Sequence, residues 1–280
     1  AAACAAYEAT ADLLGEVWPR RGPTAARDFF EHGFTPVLIG DPPGLLTGYY
    51  EPEVKGACAR SGEFRHPLHA MPDGLGGRPW FTRAEIAASD LLAGHELVWL
   101  SSPVEAFLAQ VQGSVRVRLP DGSLRRLGYA GKNGHPYRSI GAELVRRGEI
   151  AQAKISAAAI RHWCAEHPDA VADLLNHTPS YVFFRDVDLP EDSGPIGVMG
   201  RPLTAGRSLA VDPEHIPLGA PVWVEAGGIG TLMIAQDTGG AIRGAQRGDI
   251  FCGSGDAAGR RAGDMRLEGR LVVLLPHAQA

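Results

Sequence analysis

AQDTGGAIRGAQRGDIFCG, Ala235 to Gly253, sets Asp237 and Asp249 around a loop holding Gly239, Gly240, Gly244 and Gly248. The apolar run Thr231–Ala235 precedes it, short enough for a buried strand, and Ile250-Phe251 begins a second apolar segment. The stretch therefore reads as strand, glycine-rich loop, strand, with one carboxylate at each mouth of the loop. A backbone bent this tightly needs positive φ angles and close approach without a Cβ. Arg243 and Arg247 are the obvious counter-charges. Two carboxylates delivered to one spot by a rigid turn can perform acid/base chemistry.

Plainer roles exist for both aspartates. Asp237 before Thr-Gly-Gly can be an Asx-turn residue accepting backbone N–H bonds, and Asp249 can be a surface partner of Arg247. Asp-Thr-Gly is also the motif of aspartic proteases, but that chemistry needs two such carboxylates sharing a proton, and this motif occurs once.

At 280 residues the chain makes one large domain or two moderate ones. Its 45% hydrophobic and 21% charged residues are ordinary for a globular protein, and a net charge of −5 lacks the basic surplus of a nucleic-acid binder. No apolar run approaches the roughly 20 residues of a membrane span. Cys4, Cys58, Cys164 and Cys252 are scattered without a CxxC pair, which excludes a structural zinc and leaves disulfides undecided. GxGxxG, GxxxxGK[ST] and GxSxG are absent, so neither a nucleotide loop nor a serine-hydrolase elbow is indicated. Ala1-Ala2-Ala3-Cys4 is read as the start of a helix rather than the end of a lipoprotein signal.

Outward from the central stretch, the last third is strand-rich. Candidate strands are Val198-Met199, Ser208–Val211, Val222–Val224, Leu232–Ala235, Ile250-Phe251 and Arg270–Leu275, with turn signals between them. Short strands at close spacing suggest a closed barrel. Towards the N-terminus, residues 7–18 and a segment from Pro23 to Gly33 read as helices, and Phe34–Ile39 and Leu45–Glu51 as strands. Tyr49 and Tyr50 face opposite sides of the latter, so one can be core and the other a stacking platform. From about Lys55 the texture turns to arginine, histidine, proline and glycine, the entry to a second domain. There Thr82–Glu85 is a capping box, Val115–Leu119 and Leu124–Ala130 a hairpin, and residues 142–147, 155–166 and 170–175 helices. His66 and His69 are read as surface residues, His162 as packing, and His135 as a loop residue with a weak claim on a ligand.

TGYYEP, VQGS, YAGKNGHPYRSIG, AIRHW, PSYVFF, LAVDPEHIPLGAPVWVE, LMIAQDTGGAIRGAQRGDIF and GDAAGRRAG together resemble the membrane-bound lytic murein transglycosylase A family, with its aspartate-triplet barrel domain. The resemblance runs from about Thr47 to the end. It implies a mainly β fold with some helix: a double-psi β-barrel made from both chain ends, residues 1–54 plus 185–280, with a β-rich domain, 55–184, inserted. A groove between them would hold a glycan strand. It further implies cleavage of the β-1,4 bond between N-acetylmuramic acid and N-acetylglucosamine with 1,6-anhydro ends. The enzyme would be a monomer without metal or cofactor, periplasmic and associated with the outer membrane, with a possible lipid anchor.

The aspartate triplet falls on Asp212, Asp237 and Asp249. By position Asp249 is the catalytic acid/base, Asp237 supports it, and Asp212 is structural. Thr47, Tyr50, Gln112, Ser114, Lys132, Asn133, Arg138 and Ser139 are the implied glycan-binding residues. Cys252 stands where the family often has an aromatic residue. A raised pKa is required of Asp249, for which Ile250 and Phe251 supply desolvating walls, and Arg247 is expected to point away from it or to bind substrate. Two alternatives are a non-catalytic cell-wall polysaccharide-binding module and a β-glycan hydrolase on the same barrel.

Overall fold

The structure, a computed structural model, describes residues 23–75 and 79–277. The helix expected over residues 7–18 lies outside them. The strands of the first half are β1 (Phe34–Leu38), β2 (Gly44–Glu51), β3 (Glu53–Ala57), β4 (His66–His69), β5 (Glu96–Leu100), β6 (Ser114–Arg118) and β7 (Leu124–Lys132). Then come β8 (Val182–Asp186), β9 (Ser208–Val211), β10 (Pro221–Ala226), β11 (Ile229–Asp237), β12 (Arg247–Ser254) and β13 (Arg266–Pro276). The helices are α1 (Pro23–Gly33), α2 (Arg83–Ala87), α3 (Pro103–Gln112), α4 (Ile140–Arg146), α5 (Ala157–Glu166), α6 (Val171–Asn176) and α7 (Gly255–Asp264).

Two compact units result, one from the described parts of 1–49, 196–253 and 265–280, the other from those of 50–195 and 254–264. The sheet of the first runs β1-β13-β10-β11-β9-β12-β2, and β2 pairs again with β13. That return pairing closes β2 and β9–β13 into the six-stranded double-psi barrel. β13 is long enough to serve two neighbours on one edge: Arg266–Gly269 pair with β2, and Val272–Pro276 pair with β1.

Alternation fills the barrel. Val222 and Val224 of β10 point inward with no exposure, beside Leu46, Leu209, Val211, Ile250, Leu271 and Val273. Trp223 points outward and donates from Nε1 to Glu225 at 2.8 Å. Each fully buried aliphatic side chain contributes roughly 1.5–3 kcal/mol. The β2 strand passes so close to the loop before β12 that a Cβ on Gly44 would collide with the Gln246 carbonyl oxygen. Gln246 itself donates from Nε2 to the Ile39 and Leu271 carbonyls and accepts from the Leu271 N–H. Val198-Met199, expected as a strand, is a turn ending at Gly200, whose N–H bonds back to the Gly197 carbonyl.

The second unit holds a sheet ordered β4-β5-β3-β6-β7-β8, with β3 and β6 parallel. α3 starts at a Ser102 cap with Pro103 behind it and stops at Gly113, whose φ of 76° only glycine adopts freely. Its apolar face divides between the sheet, through Ala106 and Ala109, and the helical cluster of α4, α5 and α6, through Phe107 and Leu108. α2 carries the expected Thr82–Glu85 capping box.

Glu51, only 1% exposed, ties this unit together. Its carboxylate accepts from Arg116 Nε at 2.7 Å, from Arg126 Nη2 at 3.0 Å and from Ser254 Oγ at 2.8 Å. The two guanidiniums in turn donate to the Ser193 and Pro190 carbonyls. Removing one member of such a set leaves buried charge uncompensated. Glu51→Ala is expected to destabilise the protein by about 3–5 kcal/mol, against less than about 1 kcal/mol for Glu53→Ala, which breaks an exposed pair with Arg118. Denaturant melts of both variants check this.

Candidate active site

The three aspartates lie around strand β9. Its Ala210 pairs with Asp249 of β12 on one side and with Asp237 of β11 on the other. The β9–β11 register slips by one residue between Ala235 and Asp237. Side chains alternate along a strand, so a regular ladder would place Gln236 opposite Ala210 and turn Asp237 to the other face. The bulge puts both carboxylates on one face. Gln236 instead accepts from Ser208 Oγ at 2.5 Å.

Thr47 on β2, the strand beside β12, donates from Oγ1 to Asp249 Oδ1 at 2.5 Å. Arg247 Nη2 donates to the same Oγ1 at 2.8 Å, while Nη1 donates to the Leu45 and Gly248 carbonyls. With its oxygen engaged by Arg247, the Thr47 hydroxyl directs its hydrogen at Oδ1. Any proton on Asp249 therefore belongs on Oδ2. Arg247 does not point away, as expected from sequence. It forms no ion pair with Asp249, yet sits one hydroxyl removed.

Burial raises the Asp249 pKa to about 6, against the opposing Thr47 hydrogen bond and Arg247 charge, with the negative charge of Asp237 adding to the rise. Asp237 is raised too, by burial first, although Tyr49 OH donates to Oδ2 at 2.8 Å and the Val198 N–H to Oδ1 at 3.2 Å. Burial and Asp237 together keep the Tyr49 phenol far from ionising, and its ring leans on Phe251 at 5.4 Å.

Asp212, 2% exposed, accepts from the Gly244 N–H at 2.7 Å and the Glu214 N–H at 3.2 Å. The Gly244 bond is the main reason its pKa is lowered, with Glu214, Arg243 and His215 adding to the effect. It is an ionised bracket that holds the glycine loop to the end of β9.

Sequence reasoning passed over Tyr49. Thr47 and Tyr49 are two apart on one strand and share a face, which period-two counting from Thr47 would have found. Tyr50 takes the other face. Its ring lies on Gly259, where a Cβ would stand 2.8 Å from Cε2, and Arg161 Nη2 donates to its hydroxyl at 3.4 Å. The Tyr50 N–H is bound by Gln112 Oε1 at 3.1 Å.

The other expected glycan contacts all lie in the second unit. Asn133 is 1% exposed, and its amide donates to the Phe81 and Pro179 carbonyls and accepts from the Tyr181 and His135 N–H groups. Those four bonds saturate its amide, which makes Asn133 a hub of this scaffold. Ser139 caps α4 through Ala142 N, and Ser114 is buried in β6. Lys132 and the Arg138 side chain are exposed. His69, expected at the surface, is buried at 8% exposure with Nδ1 bonded to Tyr181 OH. Among the described residues no cluster of three or more His, Cys, Asp or Glu could hold a metal ion, and no helix is long and apolar enough to cross a membrane.

A closed barrel that carries two aspartates on one face and draws its strands from both ends of the chain defines a class, and the family comparisons match it segment by segment. Residues 207–275 match the 3D domain and residues 45–185 the MltA specific insert domain. The chain belongs to the membrane-bound lytic murein transglycosylase A family. It is 40% identical over 243 residues to that protein of Escherichia coli K12, covering 82% of this chain and 65% of the relative, and so spans under two thirds of its length. A membrane-bound lytic murein transglycosylase structure from Agrobacterium tumefaciens superposes with a TM-score of 0.85 at 36% identity, covering 94% of this chain and 82% of that one. The E. coli MltA structure with bound chitohexaose gives 0.79 at 36% identity, covering 90% and 78%.

An aspartate whose pKa is raised on folding weakens the fold wherever it is ionised. Below its unfolded value, near 4, Asp249 is protonated in both states and has no effect. The penalty grows between about pH 4 and pH 6 and is complete above. Asp249→Asn is thus expected to be more stable than the parent at neutral pH, by about 2 kcal/mol once solvent screening is allowed for. The advantage should vanish near pH 4, as read by melting temperature across that range.

Proposed function

We propose that this chain is a peptidoglycan lytic transglycosylase. It cleaves the β-1,4 bond between N-acetylmuramic acid and N-acetylglucosamine and leaves a 1,6-anhydro end. The carrying observation is Asp249, half-buried, with a pKa near 6 and one oxygen held by Thr47. Such a group is protonated often enough at neutral pH to act as an acid and is a competent base once it has given the proton up.

Asp249 Oδ2 first protonates the glycosidic oxygen, and the bond to C1 breaks. The resulting carboxylate then takes the proton of the muramic acid's 6-hydroxyl as that oxygen closes on C1. Because the nucleophile belongs to the substrate, one carboxylate serves both steps, where hydrolysis ordinarily needs two. Intramolecular attack carries a large effective-concentration advantage over water. Thr47 holds the carboxylate's rotation fixed throughout. Asp237, oriented by Tyr49, keeps negative charge near the developing oxocarbenium ion and opposes early ionisation of Asp249. Of the expected sugar contacts in the second unit, Lys132 and Arg138 have side chains open to solvent. The relatives' name, membrane-bound, supports work in the periplasm at the outer membrane.

Asp237 also sustains a rival, a hydrolase in which it activates water. Products separate the two. Mass analysis of digested peptidoglycan is expected to show anhydro ends, and reducing ends would favour hydrolysis. Asp249→Asn is expected to lower turnover by roughly 10²–10⁴-fold with the fold retained. Retained anhydro-product release in that variant would remove Asp249 from the reaction.

The pH profile gives a second test. The active free enzyme carries a protonated Asp249, so kcat/KM is expected to fall about tenfold per pH unit above pH 6. Arg247 stabilises the ionised form, so Arg247→Gln raises the pKa and moves this alkaline limb to higher pH, whereas Arg247→Lys, which keeps the charge, leaves it near its place.

A further inference from the structure

Within the second unit lies a cavity of about 420 Å³ that the reaction above does not use. Its wall carries Arg83, 9% exposed, lying 4.8 Å from the Phe107 ring and 4.9 Å from the Tyr181 ring. Nε donates to the Ser180 carbonyl and Nη2 to Gln110 Oε1. Nη1 has no hydrogen-bond partner among the described residues and is not among the atoms sealed from solvent. Among the described residues, no carboxylate pairs with this guanidinium. A buried, unpaired cation ordinarily costs several kcal/mol, and the two rings and two oxygens offset only part of that. Burial lowers the Arg83 pKa to about 10, so the group remains cationic at neutral pH.

The same cavity also has acids in its lining. Asp90 is exposed, and Glu96 accepts from the Gly94 N–H through Oε2, leaving Oε1 open. His69, also lining it, is held neutral by burial, its pKa lowered to about 4. Ile86, Leu92 and Leu175 add apolar, buried side chains to the same lining. A buried cation, hydrocarbon and carboxylates in one lining match a ligand that carries both a carboxylate and an ammonium.

We propose that this cavity binds a zwitterionic amino-acid group, its carboxylate on Arg83 and its ammonium at Glu96 and Asp90. If the chain acts on peptidoglycan, the natural bearer is the amino-acid end of a peptide stem, and that identification alone rests on the function proposed above.

The test titrates the intact protein with 2,6-diaminopimelate, D-alanine, propionate and propylamine, following arginine side-chain NMR signals and calorimetric heat. The amino acids are expected to shift the Arg83 resonance with Kd below about 10 mM, and propionate and propylamine to bind at least about tenfold more weakly. Glu96→Gln and Asp90→Asn should each weaken amino-acid binding about tenfold without changing cleavage of peptide-free glycan. Arg83→Gln should abolish it, and if that variant does not fold, the two carboxylate variants carry the test. Absence of any Arg83 shift at about 10 mM amino acid, or equal binding of propionate and D-alanine, overturns the proposal. The readout is binding, so failure here leaves the cleavage reading intact, and loss of cleavage leaves this site intact.

Discussion

One extra residue in a strand decides what this barrel can do. Strands lie about 4.8 Å apart, so residues flanking Ala210 from either side have Cα atoms roughly 10 Å apart, a span two carboxylates can close partway. They do so only when both face the same way. The bulge before Asp237 supplies that half-turn, and the pairing of Ala210 with both aspartates records it. The surroundings keep the arrangement from relaxing. Asp212 grips the glycine loop at Gly244, Gln246 laces the loop to β13 and to Ile39 just past β1, and the bare backbone of Gly44 lets β2 approach closely enough for Thr47 to reach Asp249.

The electrostatics follow from opposing effects, of which burial is the largest. Burial alone would drive Asp249 towards a permanently neutral acid, useless as a base. A direct pair with Arg247 would drive it towards a permanent carboxylate, useless as an acid. The Thr47 hydroxyl inserted between them passes on part of the cation's influence while adding a hydrogen bond of its own. The balance sits near pH 6. Asp237 differs from Asp249 in that each of its oxygens accepts a protein donor, the Tyr49 hydroxyl on Oδ2 and the Val198 N–H on Oδ1.

Much of this could be read from the chain. The glycine loop between two apolar runs, the capping box at Thr82, the hairpin of β6 and β7 and the barrel strands from Ser208 onward are all local patterns, and local patterns survive in sequence. What was not readable depends on register. No composition or spacing marks the bulge at Gln236. The turn at Val198-Met199 looks like a strand because two exposed apolar residues mimic a buried pair. His69 looks like a surface histidine because its partner, Tyr181, lies 112 residues away. Arg247 is expected to point away or bind substrate, because its charge opposes a raised Asp249 pKa and a bridging hydroxyl 200 residues distant cannot be inferred from either neighbour.

Counting donors and acceptors separates residues that hold the fold from residues that meet a ligand better than residue type does. Asn133 has the chemistry of a sugar contact, but two amide hydrogens and two oxygen lone pairs are matched by four backbone partners, and nothing remains. Gln112 and Ser139 likewise bind backbone N–H groups, one at Tyr50 and one at the start of α4. Glu51 is charged and buried, yet two guanidiniums and a hydroxyl account for it. Applied to Arg83, the same count leaves a remainder: a buried cation with, among the described residues, an unused nitrogen and no acid. A folded chain tolerates such a remainder when something outside the chain completes it, and the charges lining that cavity say what the something must carry.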